Sequence, residues 1–242
     1  MKIKNIVTTL MLICLVTAIS CAGPKPKVLV FCKTAGFHHE SIAVGIPAIM
    51  KLGKENNFDV DTTTNSALFT ADNLKQYAAV VFLSTTGDVL NTEQQKAFEQ
   101  YIKAGHGFVG VHAATDTEYD WPWYGNLVGA YFKSHPSKQQ EANLNIVDRN
   151  FIATKHLPAT WRRLDEWYNY KWIASDLHVL IKIDEKSYNG GENGDNHPMS
   201  WYHTYDGGRA FYTALGHTDA SYADPLYLKH LLGGIQYAIG KK

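Results

Sequence analysis

Cysteine is scarce in this chain, and its scarcity excludes a disulfide-built fold. The three cysteines are Cys14, Cys21 and Cys32; the first two fall in a leader and its processing site, as argued below, so Cys32 stands alone. An excess of either charge is also missing. Lysines and arginines number 23 and aspartates and glutamates 23, for a formal net charge of +0, so nothing favours nucleic acid or an anionic surface as partner, and a small neutral molecule is the better expectation. No glycine-rich phosphate loop or dinucleotide fingerprint follows the first apolar run, where Lys33-Thr-Ala-Gly-Phe-His-His39 holds a single glycine. Zinc-deaminase and zincin signatures are absent too. No apolar run has the length preferred for a transmembrane helix.

What is present begins with an export signal. Lys2 and Lys4 precede a short apolar core from Ile6 to Ile19, and Ala18-Ile-Ser20 offers a small-residue cleavage site. Residues 1–20 are therefore expected to be removed. Cys21 then follows the cut as in the lipobox of bacterial lipoproteins, which makes it the expected lipidation site and gives an exported, membrane-anchored and periplasmic protein. Contact with the membrane is expected only through that anchor. Residues 21–27, including Pro24 and Pro26, read as an extended tether. The remainder, 28–242, is long enough for a single domain with a sizeable core.

Strands and helices alternate in the first half of that domain. Val28–Cys32, Phe58–Val60, Ala78–Ser84 and Phe108–Val111 are apolar runs of buried-strand type; Ser41–Lys54 and Thr92–Ala104 carry apolar residues at helical spacing. This rhythm predicts an α/β fold with a parallel sheet and helices on both faces. After about Thr115 the pattern changes. Strands at Ala142–Val147, Glu166–Tyr170, His178–Ile183, Met199–Tyr205 and Ala210–Leu215 are separated only by loops, as antiparallel strands are. Asp206-Gly-Gly208 is a hairpin turn, Asp224–Ile239 a closing helix, and the Gly- and Asn-rich 189–196 reads as a rim or lid.

The most telling stretch is Gly105-His-Gly-Phe-Val-Gly-Val-His112, an apolar strand that ends on an imidazole with Asp116 four residues on. In an open α/β sheet such a position is where chemistry sits. Gly208-Arg-Ala-Phe-Tyr-Thr-Ala-Leu-Gly-His217 repeats the pattern. Eleven histidines are present; His112 follows Val109-Gly-Val111, His135 and His197 precede prolines and His217 follows Gly216, positions where imidazole could transfer protons or hold a metal. The expected catalytic set is His112 as acid/base, Asp116 as its orienter, a sugar-hydroxyl ligand or merely a turn cap, and Glu166, whose neighbouring aromatics would raise its pKa and make it an acid unless it is only an edge-strand residue. Aromatics make up 12% of the chain; flat rings beside carboxylates suit sugars, although most will be core. Cys32, closing a buried strand, is better read as packing than as a nucleophile served by His38 and His39.

Lys33-Thr-Ala-Gly-Phe-His-His-Glu-Ser41, Gly105–Ala114, His197-Pro-Met-Ser-Trp201 and Gly208–His217 together resemble the ThuA-like (trehalose utilisation) family. The resemblance implies a flavodoxin-like, class I glutamine amidotransferase-like three-layer sandwich, with a parallel central sheet and added antiparallel strands in the C-terminal half. The amidotransferase nucleophile elbow would fall at Val111-His112-Ala113, where histidine replaces the thiol, so glutamine hydrolysis is not expected. It implies instead a role on disaccharides or their keto derivatives, alongside sugar oxidoreductases of the same pathway. His38, His39, Tyr119, His135, His197, Trp201 and His217 are the candidate substrate-binding residues. His112, His135 and His217 are candidate ligands should a divalent metal such as zinc be used. A non-catalytic carbohydrate-binding protein is the alternative.

Overall fold

The computed structural model of the chain describes residues 24–241; the expected signal segment and the expected acylation at Cys21 lie outside the described residues. The alternation read from the sequence becomes five parallel strands. These are β1 (Lys27–Phe31), β2 (Asp59–Thr63), β3 (Ala79–Leu83), β4 (Gly107–Val111) and, from the far end of the chain, β11 (Gly208–Thr213). Every residue of β3 and β4 is buried, as expected of strands covered on both faces. On one side α1 (Ile42–Asn56) and α5 (Pro225–Ala238) pack on the sheet and on each other; α2 (Ala71–Leu74), α3 (Thr92–Lys103) and α4 (Pro122–Val128) form the other layer. The start of α3 is fixed by a reciprocal cap in which Asn91 accepts from the Gln94 amide and Gln94 from the Asn91 amide.

The second half extends the same sheet. β6 (Gln140–Ile146), β7 (Thr160–Asp165), β9 (His178–Ile183) and β10 (Pro198–Tyr205) complete the order β2-β1-β3-β4-β11-β10-β9-β6-β7, while β5 (Ala130–Ser134) and β8 (Asn169–Ile173) pair separately. Four elements, α2, β5, β7 and α4, escape the sequence pattern. The strand expected to begin at Glu166 instead ends at Asp165 and resumes at Asn169, leaving Glu166 in the connection. The Asp206-Gly207 turn has positive φ at both residues, 48° and 94°, which suits a two-residue hairpin. β11 departs from the antiparallel expectation in one respect: it pairs antiparallel with β10 but parallel with β4, Thr213 lying beside Val111. The ends of β4 and β11 therefore emerge side by side.

Cys32 is buried after β1, its thiol 3.6 Å from the Thr63 carbonyl, and burial raises its pKa. It packs, as the sequence suggested. His230 secures α5: its Nδ1–H donates to the Ala153 carbonyl at 2.8 Å and its Nε2 accepts from the Thr213 hydroxyl at 3.2 Å. Burial holds its pKa near 3, against an ordinary 6.5. Below 6.5 the unfolded chain takes up a proton that the folded chain refuses, so this contribution is complete above that pH and is lost as pH falls towards 3. Urea unfolding at stepped pH is expected to show wild-type stability declining by up to about 1.4 kcal/mol per pH unit per such group. His230→Gln should be less stable at pH 7 and show a shallower decline.

Candidate active site

Four chain segments deliver polar groups to the C-terminal end of the parallel strands. β4 delivers His112, whose φ of 49° turns the chain from strand into a short 3-10 segment, His112–Thr115. Left-handed backbone is uncommon for a side chain other than glycine, but histidine is among the residues that adopt it more readily. The Tyr212 hydroxyl holds the His112 carbonyl at 2.7 Å. From β11 the chain runs to His217 through Gly216, at φ 110°. A Cβ on Gly216 would collide with the Tyr227 hydroxyl, so glycine is required there. β1 leads to His39, and the end of β7 leads to Glu166.

These four residues converge. One ligand atom from each of His39, His112, Glu166 and His217 lies within 4.8 Å of all the others. His112 Nδ1 faces the Ala214 carbonyl at 2.8 Å, and since a carbonyl only accepts, that nitrogen carries a proton and Nε2 is the nitrogen turned inward to the cluster. His112 Nε2 is 3.1 Å from His217 Nδ1 and 3.4 Å from Glu166 Oε2, which is itself 3.2 Å from His217 Nδ1. The His39 ring stands edge-on to those of His112 and His217, and its Nδ1 is buried with no hydrogen-bond partner.

The charge states follow from burial and proximity. Burial and the neighbouring His112 and His217 hold the His39 pKa near 3, so its ring is neutral. Burial opposes ionisation of Glu166, but hydrogen bonds and charge from His112 and His217 outweigh it and hold the carboxyl well below its ordinary range. Glu166 is therefore a carboxylate, not the raised-pKa acid its aromatic neighbours suggest. Burial works against a charge on His217, yet Glu166 raises its pKa overall. Asp116 is the carboxyl that shifts upward, chiefly through burial, although the Tyr119 hydroxyl donates to it at 2.6 Å.

The cluster opens into two adjoining cavities. An inner one of about 300 Å³ is bordered by His39, Asp116, Phe132, His135, Tyr168 and His217 among others. An outer one of about 550 Å³ is bordered by His38, Glu40, Ser41, Gln139, Thr218 and Asp219, together with His39 and His217. His135 is half-exposed, its Nδ1 3.3 Å from Glu166 Oε1. A separate cleft of about 450 Å³ over β6 and β9, lined by Lys182 and Glu185 among others, gathers no such cluster.

Not every expected site residue arrives. His112 is wholly buried and borders neither cavity, so it forms the floor and does not face a ligand directly. Nor does Asp116 orient it; Ala214 and Glu166 do. Tyr119 supports Asp116 from behind, with the Lys171 ammonium 3.7 Å from its ring centroid. His197 and Trp201 are fully buried away from the cavities. His197 bridges Glu185 and the Tyr168 carbonyl, each at 2.7 Å, and Trp201 donates to the Val128 carbonyl. The loop 189–196 is pinned and is no lid: Glu185 accepts from the Asn193 and Gly194 amides, and the Asn193 side chain brackets the Tyr170 backbone. Glu185, His197 and this loop thus brace Tyr168, whose ring lies 4.4 Å from that of His112.

One residue to which the sequence assigns no role in the site proves central. Asp165, fully buried, accepts from the backbone amides of Glu166, Gly216 and His217 and from Arg163 and Ser221. It ties together the two segments that carry Glu166 and His217.

The sequence profile of the family described as ThuA, trehalose utilisation, matches residues 27–238. The chain belongs to the ThuA family. Its description gives a carbohydrate-related role. Among the curated proteins nothing matches the sequence. A ThuA-like protein of Bacteroides uniformis superposes with a TM-score of 0.76 at 22% identity, over 90% of this chain and 93% of that one. One from Parabacteroides merdae gives 0.70 at 24%, over 90% and 91%. A β-galactosidase of Bacillus circulans gives 0.56 at 13%, over 90% of this chain but 31% of that one. At such identities the likenesses establish the fold, a mixed α/β sandwich consistent with the flavodoxin-like expectation.

Proposed function

We propose that this ThuA protein is a sugar-processing enzyme that acts on a disaccharide or its keto derivative through histidine and carboxylate groups, with a divalent ion such as zinc held at the cluster. The observation that carries the reading is the convergence of His39, His112, Glu166 and His217 on one point at the sheet edge. The donor set fits an ion. A tetrahedral ion bound at about 2.1 Å places its ligand atoms about 3.4 Å apart; the separations among His112, His217 and Glu166 are 3.1, 3.2 and 3.4 Å, with a His39 nitrogen within 4.8 Å of each. The tautomer of His112 is fixed by a carbonyl behind it, as the outer partners of metal-binding histidines commonly do, and the orphaned His39 nitrogen belongs to a ring that stays neutral. Bound there, a divalent ion supplies Lewis-acid polarisation of a sugar carbonyl or hydroxyl.

The protein's own groups do the rest. Asp116, with its raised pKa, and His135, which reaches solvent, border the inner cavity and are placed to take a proton from a carbon beside a carbonyl and to return one. Cleavage of a glycosidic bond needs the same pair, with the returned proton going to the departing oxygen. Export, lipidation at Cys21 and cooperation with sugar oxidoreductases rest on the leader sequence and the family resemblance. Elemental analysis of purified protein should find close to one divalent ion per chain. A chelator should stop consumption of keto-disaccharide, and added zinc should restore it. Glu166→Gln should lose both ion and turnover. Tight sugar binding without turnover, with or without metal, would instead identify a carbohydrate-binding protein.

A further inference from the structure

Behind the inner cavity stands a hydroxyl with one proton and two acceptors. Tyr119 borders neither cavity, but its hydroxyl lies 2.6 Å from Asp116 Oδ1 and 3.2 Å from the Phe132 carbonyl. Burial first, and then Asp116, drive its pKa well above the ordinary phenol range, so the proton stays on and points to one acceptor or the other. The pairing of β5 with β8 is irregular on both sides of Phe132, where a carbonyl can leave the ladder for a side chain. The same ring carries a cation. Lys171, exposed on β8, enters no ion pair among the described residues; its ammonium lies 3.7 Å from the Tyr119 ring centroid and 5.5 Å from that of Tyr131. A cation over a phenol face draws electron density from the ring, which makes the hydroxyl a stronger donor.

Asp116 is held on both sides by its backbone, its amide donating to the Ala113 carbonyl and its carbonyl accepting from the Gly87 amide, each at 2.8 Å. Oδ1 is taken by Tyr119, whereas Oδ2 has no protein partner among the described residues, and the side chain borders the inner cavity. Oδ2 is the oxygen left for a ligand. The other titratable groups around this carboxyl are His112 from the end of β4, His135 and Tyr168 from the cavity wall, Lys171 from β8 and Tyr212 from β11. Glu166, His39 and His217 border the same cavity. Of all these groups only Tyr119 is hydrogen-bonded to Asp116.

Resting on the sugar-processing reading above, we infer that Tyr119 and Lys171 are positioning residues that make Asp116 Oδ2 the atom that takes and returns the proton. While Asp116 is a carboxylate, Tyr119 donates to Oδ1. When Oδ2 takes the proton from the substrate carbon, whose C–H electron pair passes to the adjoining carbonyl, Oδ1 becomes a poorer acceptor and the Tyr119 hydrogen rotates to the Phe132 carbonyl. No heavy atom has to move between the two states. Lys171 favours the first arrangement, since its charge and the stronger Tyr119 donor both help to keep Asp116 ionised against burial.

Carbon-13 NMR of the aspartate carboxyls tests this on the full protein supplied with zinc, the Asp116 signal being identified by its loss in Asp116→Asn. Tyr119→Phe should move the Asp116 titration up by about one pH unit, the effect of losing a hydrogen bond to a charged group. Lys171→Met should move it up by less than about half a pH unit. Lys171→Arg, which keeps a cation over the ring, should leave it in place. A base whose pKa rises is protonated over a wider range, so the acid limb of 3-keto-trehalose turnover should move up with the titration in each variant, with KM within about twofold. Lys171 is exposed, so its variants keep the test independent of folding. An unmoved Asp116 titration in both Tyr119→Phe and Lys171→Met would overturn the inference, whatever happens to turnover. A moved titration with an unmoved pH profile would remove Asp116 as the proton carrier. A moved titration in a protein whose wild type turns over no keto-sugar would uphold the three-residue arrangement and overturn the sugar-processing reading.

Discussion

His112→Asn is expected to empty the cluster of its ion and to lower turnover by about a thousandfold, with the fold retained. His112 does not border either cavity, so the loss would not come from a missing contact to substrate. It would come from the centre of the cluster: this ring places one nitrogen 3.1 Å from His217 and 3.4 Å from Glu166, and fixes which nitrogen does so through Ala214. Asparagine is the informative replacement because it tolerates the left-handed backbone that His112 adopts, whereas alanine would add backbone strain to the lost ligand. The Ala214 carbonyl loses a partner, a cost of about 1–3 kcal/mol, so melting should fall by less than about 10 °C. Turnover close to wild type in folded His112→Asn would remove the cluster from the chemistry altogether.

Much of this site was legible before the structure. Two apolar runs ending in Val-His112 and Gly-His217 announced strands that present imidazoles at one sheet edge, and the sheet brings those rings together as β4 and β11 pair in parallel. That pairing was not itself legible, since the tight Asp206-Gly207 turn advertises only the antiparallel partner β10. The sign of the Glu166 shift is not legible in the sequence for a related reason. Its sequence neighbours Trp167 and Tyr168 suggest an apolar pocket, but the groups that set its charge are imidazoles from β4 and β11. His197-Pro198 looks locally like His135-Pro136, yet one histidine is wholly buried and the other half-exposed. Lys171 gave no signal, because the ring that an exposed cation covers depends on the fold and not on periodicity. Asp165 gave none either: every donor it satisfies except the Glu166 amide and Arg163 comes from the segment after β11.

Asp165 is therefore a positioning residue whose removal should be felt in both stability and turnover. Its two oxygens accept from the amides of Glu166, Gly216 and His217, while Ser41 secures the same turn from the other side by donating to the Gly216 carbonyl at 3.1 Å. Arg163, with a side chain 7% exposed, lies 3.2 Å from Asp165 and keeps only Ser221 and Asp224 as polar partners without it. Breaking a buried pair by removing one member costs about 3–5 kcal/mol, so Asp165→Ala should melt roughly 10 °C lower or more. Its turnover should fall at temperatures where it remains folded, because the backbone on either side of the cluster is released. The double variant Arg163→Met, Asp165→Leu separates the two effects. Apolar replacement of a buried pair often restores stability, so its melting temperature should recover in part, while the amides of Glu166, Gly216 and His217 still lack an acceptor and turnover should stay low. Recovery of turnover along with stability would mean that Asp165 serves the fold and not the geometry of His217 and Glu166.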